Sequence, residues 1–438
     1  MSIKELDNEK VLESEFEHEP VPISHRKSLL SVGSIWLGFP MVLLCAVLGG
    51  VVTGHLGFKL GVLAIVVGNA LLFIYVGALS YIAGEKGTTF AMQAREVFGS
   101  VVGQWFVALF MSSLVVGWFA FNTGLAGATL NVAYGWPEWQ TTLACSVLFV
   151  AITFIGARAL AILGMIAAPL FLIAAVIAIA IATEQVGWGA VLNYEGVDAG
   201  IGAFSLGAGI TFVFASFADS GTMTADFTRW SKNGRQAFMA SSLAFPIGNF
   251  IAFIAGAIVV ATGVIDDPIS NGGNFVAVFG NSTSMWLNVL GVVFVLVSMG
   301  SVATHCLYNG AIGWSNLTNT YMRTMCIVLG VIGGAAATAG IWHAFPVWLG
   351  ILGVFVAPIG TVVIVTLLVC RNVNQVNISR PEKIKGRAVI SYCVGAGLAI
   401  LTHYWAPWLS EVIVGIIGAG VSQIILLRSQ QTPLAQRA

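Results

Sequence analysis

Charged residues are scarce in this chain of 438 residues. Asp, Glu, Lys and Arg together make up 9% of it, whereas soluble domains carry roughly 25%. The 19 basic and 19 acidic residues also cancel, so no net positive charge is available to neutralise a nucleic-acid backbone. Hydrophobic residues make up 58% of the chain. This composition excludes a nucleic-acid-binding protein and indicates an integral membrane protein rather than a soluble enzyme.

Cysteine pairs of the Cys-x-x-Cys type are also missing, which argues against a zinc site or a disulfide framework. The six cysteines lie in or beside apolar runs and are expected to fill the core: Cys45, Cys145, Cys306, Cys326, Cys370 and Cys393. No cluster of metal ligands, nucleophile motif or phosphate-binding loop stands out. The sequence therefore predicts neither an enzyme nor a bound cofactor.

The amino-terminal end lacks the layout of a cleaved signal peptide, which needs a basic start followed at once by a hydrophobic stretch. Seven acidic residues fall within the first 19, and the first apolar run begins only near Ser28. We therefore expect residues 1–27 to form an acidic, disordered tail.

Long apolar runs fill the rest of the chain, and about 20 such residues suffice to cross roughly 30 Å of hydrocarbon as a helix. Twelve runs separated by short breaks predict an all-α protein with twelve membrane spans. The predicted spans are 28–54, 58–84, 97–131, 140–157, 159–183, 201–228, 236–264, 284–315, 322–341, 345–370, 386–403 and 407–427. They form one membrane domain over residues 28–427, followed by a short tail over residues 428–438.

Lys and Arg residues fall almost entirely on one side of this arrangement. The connections on that side hold 18 of the 19 basic residues, and Lys59 alone lies opposite. Because basic connections stay in the cytoplasm, this bias predicts a cytoplasmic-membrane protein with both termini in the cytoplasm. The basic cluster from Arg371 to Arg387 is expected to set this topology, and the alternative is a site for anionic lipid.

Two of the twelve spans contain helix-breaking residues. Gly38-Phe39-Pro40 interrupts the first span, and the polar stretch from Ser216 to Thr222 interrupts the sixth. Transporters break helices where backbone polar groups line a cavity at membrane depth. The first and sixth positions correspond if the chain holds two inverted five-helix repeats, over about 28–183 and 201–370. The last two spans, over 386–427, are then peripheral.

Ionisable residues inside the spans are informative because a charge in the membrane is unfavourable. Asp219 lies at the break in the sixth span, where a carboxylate can accept hydrogen bonds from a polar substrate, carry a proton or help to hold a cation. The alternative for Asp219 is to cap a half-helix that begins near Gly221. His305, in the eighth span, is either a proton relay or a packed core residue.

Other side chains within the spans give weaker signals. Trp118 in the third span and Phe217 at the sixth-span break offer flat faces that could sandwich a planar ring. Because the chain contains 13 Trp and 27 Phe, this pairing needs a more specific signal. Asn69, Asn122 and Asn249 also lie within spans, where hydrogen bonding between helices is the expected role.

The more specific signal is a motif in the sixth span. The segment from Ser216 to Arg229, SFADSGTMTADFTR, closely resembles the sixth-helix signature of the purine-cytosine permease family of nucleobase:cation symporters. The Val-Gly-Trp-Phe sequence around Trp118 matches the same family, and further matches run from about Pro20 to the tenth span. The resemblance implies a leucine-transporter-type fold with ten core helices, of which helices 1 and 6 are discontinuous, and two peripheral helices. It also implies cation-coupled uptake of a nucleobase by alternating access.

The same resemblance implies roles for individual residues. Trp118 and Phe217 would sandwich the base, and Ser216 would read one of its edges. The implied cation ligands are carbonyl and hydroxyl oxygens at Gly38, Met41, Ser298 and Ser301. These residues form a metal site only if the coupling ion is sodium.

Four positions depart from the family pattern. Val302 stands where sodium-coupled members have a second hydroxyl, which weakens a site for a cation that needs several oxygens. Val115 and Ala303 replace a glutamine and an asparagine that read the base, and Asp219 replaces a serine. The edge of the base that is recognised must therefore differ from the one that the family pattern reads. A donor-rich edge, such as that of an aminopyrimidine, guanine or a protonated ring, would suit Asp219. Asp219 could equally replace sodium by a proton, with His305 as the relay.

The leading hypothesis is a secondary active transporter that imports cytosine, a purine or a related planar heterocycle by H+ or Na+ symport. One alternative is an uncoupled facilitator or channel. Another is a symporter for a different heterocycle, such as a thiamine-precursor pyrimidine or an allantoin- or hydantoin-like compound. The expected partners are this small molecule and the lipid bilayer, without nucleic acid.

Overall fold

The computed structural model describes residues 15–197, 204–265, 267–269, 272–280, 283–370 and 382–429. Within these ranges the regular structure is helical, which confirms the predicted class. The first nine α-helices are α1 (Leu29–Gly38), α2 (Leu43–Lys86), α3 (Phe90–Phe98), α4 (Leu109–Tyr134), α5 (Glu138–Ile155), α6 (Ala157–Leu192), α7 (Leu206–Ala215), α8 (Ala218–Thr222) and α9 (Ala225–Thr228). The next eight are α10 (Gly234–Ser242), α11 (Phe250–Ala261), α12 (Val276–Gly280), α13 (Met285–Thr318), α14 (Met322–Thr338), α15 (Phe345–Ile364), α16 (Gly386–Trp405) and α17 (Glu411–Arg428).

Several helices continue beyond these bounds in other helical forms. The π-helical segments Val102–Ala108, Leu243–Asn249 and Val365–Val369 adjoin α4, α11 and α15. α2 runs through the predicted connection between the first two spans, where Gly57 kinks the chain with φ 72°. Glycine tolerates this left-handed conformation because it has no Cβ atom.

The apolar surface of the helices fits a lipid environment. In the described part of the chain, nine helices are long and apolar enough to cross a membrane, and three shorter apolar helices accompany them. Of the apolar 18-residue stretch in each helix, only 28% is buried inside the protein in Glu138–Ile155, against 78% in Trp348–Val369. Since water would not tolerate so much exposed apolar surface, the chain is a multi-pass membrane protein.

The helices pack mainly against partners that are distant in sequence. α11 lies along α2, and α13 lies along α4, whereas α16 and α17 pack chiefly on each other and on α15. The Asn249 side chain donates a hydrogen bond to that of Asn69 at 2.9 Å, which confirms the interhelical role expected for these two residues. Asn122 instead donates to the carbonyl of Trp118 within its own helix.

The amino-terminal segment is ordered where the structure describes it. Glu15 and Val21 are 4% and 2% exposed. The expected disordered tail is therefore wrong for residues 15–27, because contacts with distant helices fix this segment. Residues 1–14 of that prediction lie outside the described residues, as do residues 371–381 of the basic connection and residues 430–438 of the C-terminal tail.

Candidate functional site

The first span is broken between Gly38, where α1 ends, and Leu43, where α2 begins. Pro40 has no N–H to donate, and the N–H of Val42 bonds to the Pro40 carbonyl at 2.9 Å. Gly38 packs against the backbone of Gly164 in α6 so closely that a Cβ atom would collide. The break leaves helix-end carbonyl and N–H groups that need partners.

Two serines of α13 supply those partners. The Ser301 hydroxyl donates to the Gly38 carbonyl at 2.9 Å, and the Ser298 hydroxyl accepts from the N–H of Leu43 at 2.8 Å. Met41 is 1% exposed within the same break. Three of the four positions expected to surround a cation, Gly38, Ser298 and Ser301, therefore lie where the first span contacts α13.

The sixth span is broken at Phe217, between the end of α7 at Ala215 and the start of α8 at Ala218. Phe217 has φ −134° and ψ 20°, outside the α-helical range. The second half-helix thus begins at Ala218 rather than near Gly221, because the Gly221 N–H already bonds to the Phe217 carbonyl at 2.8 Å. This correction places Asp219 inside the first turn of α8.

Asp219 is fully buried, and its two carboxylate oxygens have different surroundings. Oδ1 accepts the N–H of the next residue, Ser220, at 2.7 Å, but Asp219 is not the N-cap of α8, because that position is Phe217, which makes no side-chain cap hydrogen bond. Oδ2 has no hydrogen bond of good geometry to the described residues, although the Trp118 side chain interacts with the carboxylate. A buried acceptor in this condition is unfavourable until a proton, a water molecule or a ligand completes it.

The two aromatic residues expected to stack on a ligand are both buried. Trp118 is 2% exposed and lies 6.3 Å from Phe121 between ring centroids. Phe217 is 3% exposed and packs against Phe39 and Phe245 at 5.1 and 5.7 Å. Both rings are therefore closed to solvent in this conformation.

The other expected base-reading positions are also buried. The Ser216 hydroxyl donates to the Val213 carbonyl at 2.7 Å, which leaves its oxygen free to accept. Val115 and Ala303 are fully buried, and Val115 lies beside Gly310 of α13. The third span and α13 thus face each other with apolar groups at these positions.

His305 lies next to the first-span break. Its Nδ1 contacts the Ser301 carbonyl, and its ring stacks on Phe39 with centroids 4.9 Å apart. Phe39 also contacts Phe217, so an aromatic ring lies between His305 and the sixth-span break. Among the described residues no hydrogen bond joins His305 to Asp219, so a proton relay between them would need water.

The sequence reasoning missed two side chains of α13. Cys306, which the sequence predicts to fill the core, lies 4.0 Å from the hydroxyl of Ser220, the residue after Asp219. Asn309 is fully buried, and neither polar atom of its amide has a hydrogen-bond partner among the described residues. Both residues follow Val302 at helical spacing, four and seven positions later. This spacing places all three on one face of α13, and that was the signal in the sequence that they could belong to the site.

Two broken helices that meet a third, continuous helix in an apolar bundle are typical of membrane transporters. Here both breaks contact α13, through Ser301 and through Cys306. The chain is thus a transporter rather than an enzyme. The model of a family described as permease for cytosine/purines, uracil, thiamine, allantoin matches residues 20–379, and the chain belongs to this family.

Individual relatives agree with this assignment. The cytosine permease of Escherichia coli strain K12 is 28% identical over 422 residues, which cover 94% of each chain. Mhp1, a nucleobase-cation-symport-1 family transporter solved in a closed conformation with bromovinylhydantoin bound, gives a TM-score of 0.79 at 19% identity, covering 95% of this chain and 96% of Mhp1. A Na+-coupled sialic acid symporter gives 0.67 at 13% identity, covering 92% of this chain and 90% of the symporter. The chain shares the fold of these transporters.

Proposed function

We propose that the chain is a secondary active transporter that imports cytosine, a purine or a related planar heterocycle by H+ or Na+ symport. Membership of the permease family supports this range of substrates. Similarity to a cytosine permease supports a base with an exocyclic amino group. The substrate crosses the membrane by alternating access, in which the site between the two broken helices opens first to one side of the membrane and then to the other.

The observation that carries the proposal is the incompletely hydrogen-bonded Asp219 at the sixth-span break. A ring N–H or amino group donates to Oδ2, while Trp118 and Phe217 supply aromatic faces and Ser216 an acceptor. Val115 and Ala303 add no polar group, so recognition depends on this carboxylate.

A hydantoin- or allantoin-like substrate is the second candidate. The Mhp1 structure that shares this fold holds bromovinylhydantoin, and the family description includes allantoin. The ring N–H groups of such compounds are also donors and suit the same oxygen of Asp219.

The coupling ion is proposed to act at the contact between the first span and α13. Sodium would take oxygens from Gly38, Met41, Ser298 and Ser301, whereas Val302 adds none. A proton would instead use Asp219, with His305 as a relay through water. Similarity in fold to a Na+-coupled symporter makes sodium the first ion to test.

We further propose that the protein lies in the cytoplasmic membrane with both termini in the cytoplasm, as the bias of basic residues supports. Residues 28–427 form the transporter domain between an acidic N-terminal tail over 1–27 and a C-terminal tail over 428–438. The domain contains inverted repeats over about 28–183 and 201–370 and peripheral helices over about 386–427.

Thermal stabilisation of the detergent-purified protein tests substrate and ion together, because a ligand that binds the folded state raises the melting temperature. The panel contains free nucleobases, hydantoins, allantoin and thiamine-precursor pyrimidines, each with and without Na+ and at two pH values. We expect a shift with an amino-bearing base. A shift confined to hydantoins or allantoin supports the second candidate, and no shift with any heterocycle contradicts both.

Uptake into proteoliposomes with an imposed Na+ or H+ gradient tests the coupling. Symport predicts accumulation that an ionophore collapses. Uptake that is indifferent to ionophores would instead identify an uncoupled facilitator.

A further inference from the structure

The side chain of Glu15 is buried outside the candidate site, on the face that we propose to be cytoplasmic. Its Oε2 accepts a hydrogen bond from the Tyr308 hydroxyl at 2.6 Å, and its Oε1 accepts the N–H of Ala157 at 3.2 Å. Ala157 begins the long helix α6, whose N-terminal end favours a negative charge. One side chain of the N-terminal segment therefore ties α13 to the start of α6.

Arg229, at the end of the sixth span, holds the backbone of the same segment. Its fully buried guanidinium donates to the carbonyl of Glu15 at 2.7 Å and to that of Phe16 at 2.9 Å. Phe16 has φ 46°, a left-handed conformation that is uncommon for an aromatic residue. Its ring also packs near Trp230 at 6.0 Å. The segment is thus held in an unfavourable conformation by its contacts.

Two further contacts reach the start of α14. The Glu17 carboxylate accepts the N–H of Met322 at 3.0 Å, and the His18 ring donates to the carbonyl of Thr320 at 3.0 Å. We name residues Glu15–His18 the latch segment. It contacts α6, α13, α14 and the end of the sixth span at once.

Through Tyr308 the latch segment contacts a row of rings that leads to the first-span break. Tyr308 stacks on Phe227 at 5.8 Å, and Phe227 in turn packs against Phe39 and His305. Asn309, next to Tyr308, keeps its buried amide without hydrogen-bond partners among the described residues. Such an amide is unfavourable in the closed state and favours a state in which water or substrate reaches it.

We propose that the latch segment is a releasable lock, which holds the cytoplasmic side closed while it is docked and must leave for that side to open. This inference rests on the alternating access proposed above. The lock acts only if opening separates α13, α6 and the sixth span near the latch segment, and those are the elements that Glu15 and Arg229 join. Undocking also relieves the conformation of Phe16.

The test is the rate at which Cys306 reacts with a small cationic methanethiosulfonate in inside-out membrane vesicles without substrate. Cys306 is 1% exposed, so it reacts only when the structure opens. Mass spectrometry of its peptide separates it from the other cysteines. We expect Glu15→Ala and Tyr308→Phe to raise the rate about tenfold, as loss of one buried hydrogen bond implies. The matched control is Glu19→Ala, since Glu19 is exposed and directly follows the latch segment.

Right-side-out vesicles distinguish a lock from general loosening. A lock predicts that Glu15→Ala accelerates labelling from the cytoplasmic side alone. Equal acceleration from both sides overturns the proposal. So does a Glu15→Ala or Tyr308→Phe protein that melts like the wild type and reacts within twofold of its rate. Tyr308→Phe keeps the ring stacked on Phe227 and guards against misfolding of the Ala variant.

The labelling needs neither a nucleobase nor an ion gradient. A protein that binds no heterocycle can still show the contrast between Glu15→Ala and Glu19→Ala, which would contradict the proposed substrate and leave the lock standing. Normal heterocycle binding without that contrast would contradict the lock and leave the proposed substrate standing.

Discussion

At the scale of single residues, the candidate site combines few polar groups with incomplete hydrogen bonding. Asp219 has one oxygen bonded to the N–H of Ser220 and one without a well-placed donor. Cys306 of α13 lies 4.0 Å from the hydroxyl of the neighbouring Ser220, and a thiol is only a weak donor. A ligand with a hydrogen-bond donor on its edge binds favourably here, because its bond to Asp219 also removes the free-energy cost of a buried acceptor without a partner.

Asp219→Asn should weaken binding of the heterocycle by about tenfold or more. The amide replaces an acceptor with a donor, so the donor edge of the ligand loses its partner, at about 1–3 kcal/mol. Calorimetric titration of the purified protein measures the change, with the exposed Glu19→Gln as control. An unchanged Kd together with an unchanged pH dependence of uptake would remove Asp219 from the mechanism.

Val302→Thr should introduce or strengthen a sodium-dependent rise in melting temperature. Val302 is 2% exposed one residue after Ser301, so a hydroxyl there adds an oxygen for a cation that prefers several. Val295→Thr is the matched control, since Val295 is buried two turns earlier on the same face of α13. If both variants respond to Na+ alike, the cation does not bind beside Val302.

At the scale of helices, the break in the first span depends on close packing as much as on Pro40. α1 lies against α6, and Gly38 meets the backbone of Gly164. Ser298 and Ser301 then bond to groups on the two sides of the break. The broken helix is therefore fixed by two neighbouring helices rather than left flexible.

Gly38→Ala should destabilise the protein by several kcal/mol or prevent its purification. The added Cβ meets backbone atoms of Gly164, which cannot rotate away as a side chain could. Gly397→Ala in α16 is the control, because its Cβ would have no atom within 4 Å. Melting temperatures in detergent compare the two. A Gly38→Ala protein as stable as Gly397→Ala would show that α1 can move away from α6 at little cost.

At the scale of the whole molecule, the N-terminal segment connects helix ends that are far apart in sequence. Burial raises the pKa of Glu15 above its ordinary value of 4.5, although the Tyr308 hydroxyl and the charges of Arg229 and Lys27 act the other way. The docked segment therefore binds a proton more tightly than the free one. Docking is strongest at low pH and weakens as the pH rises through the pKa of the docked carboxyl.

The ratio of the Cys306 labelling rate in Glu15→Ala to that in the wild type should fall as the pH rises from 4.5, the ordinary pKa of the carboxyl, toward the raised pKa of docked Glu15. The ratio cancels the pH dependence of the labelling chemistry, which both proteins share. A ratio that rises with pH would mean that the ionised carboxylate docks better than the protonated one.

Much of the architecture could be predicted from the sequence alone. Apolar runs of helical length, Gly38 and Pro40 in the first span and the polar stretch from Ser216 in the sixth are local features. Local features suffice because lipid forces each segment to satisfy its own backbone. The motif around Asp219 by itself indicates the family, and the family match over residues 20–379 confirms it.

Only the tertiary structure decided which side chains meet. Glu15 and Tyr308, Gly38 and Ser301, and Ser220 and Cys306 meet across long stretches of sequence. In a membrane protein the lipid-facing and buried faces of a helix are both apolar, so hydrophobic periodicity does not show which face is inside. The sequence alone determined the helices, their breaks and the family. Packing decided that residues 15–27 of an expected free tail are docked, that Cys306 lies against Ser220, and where the sixth span resumes.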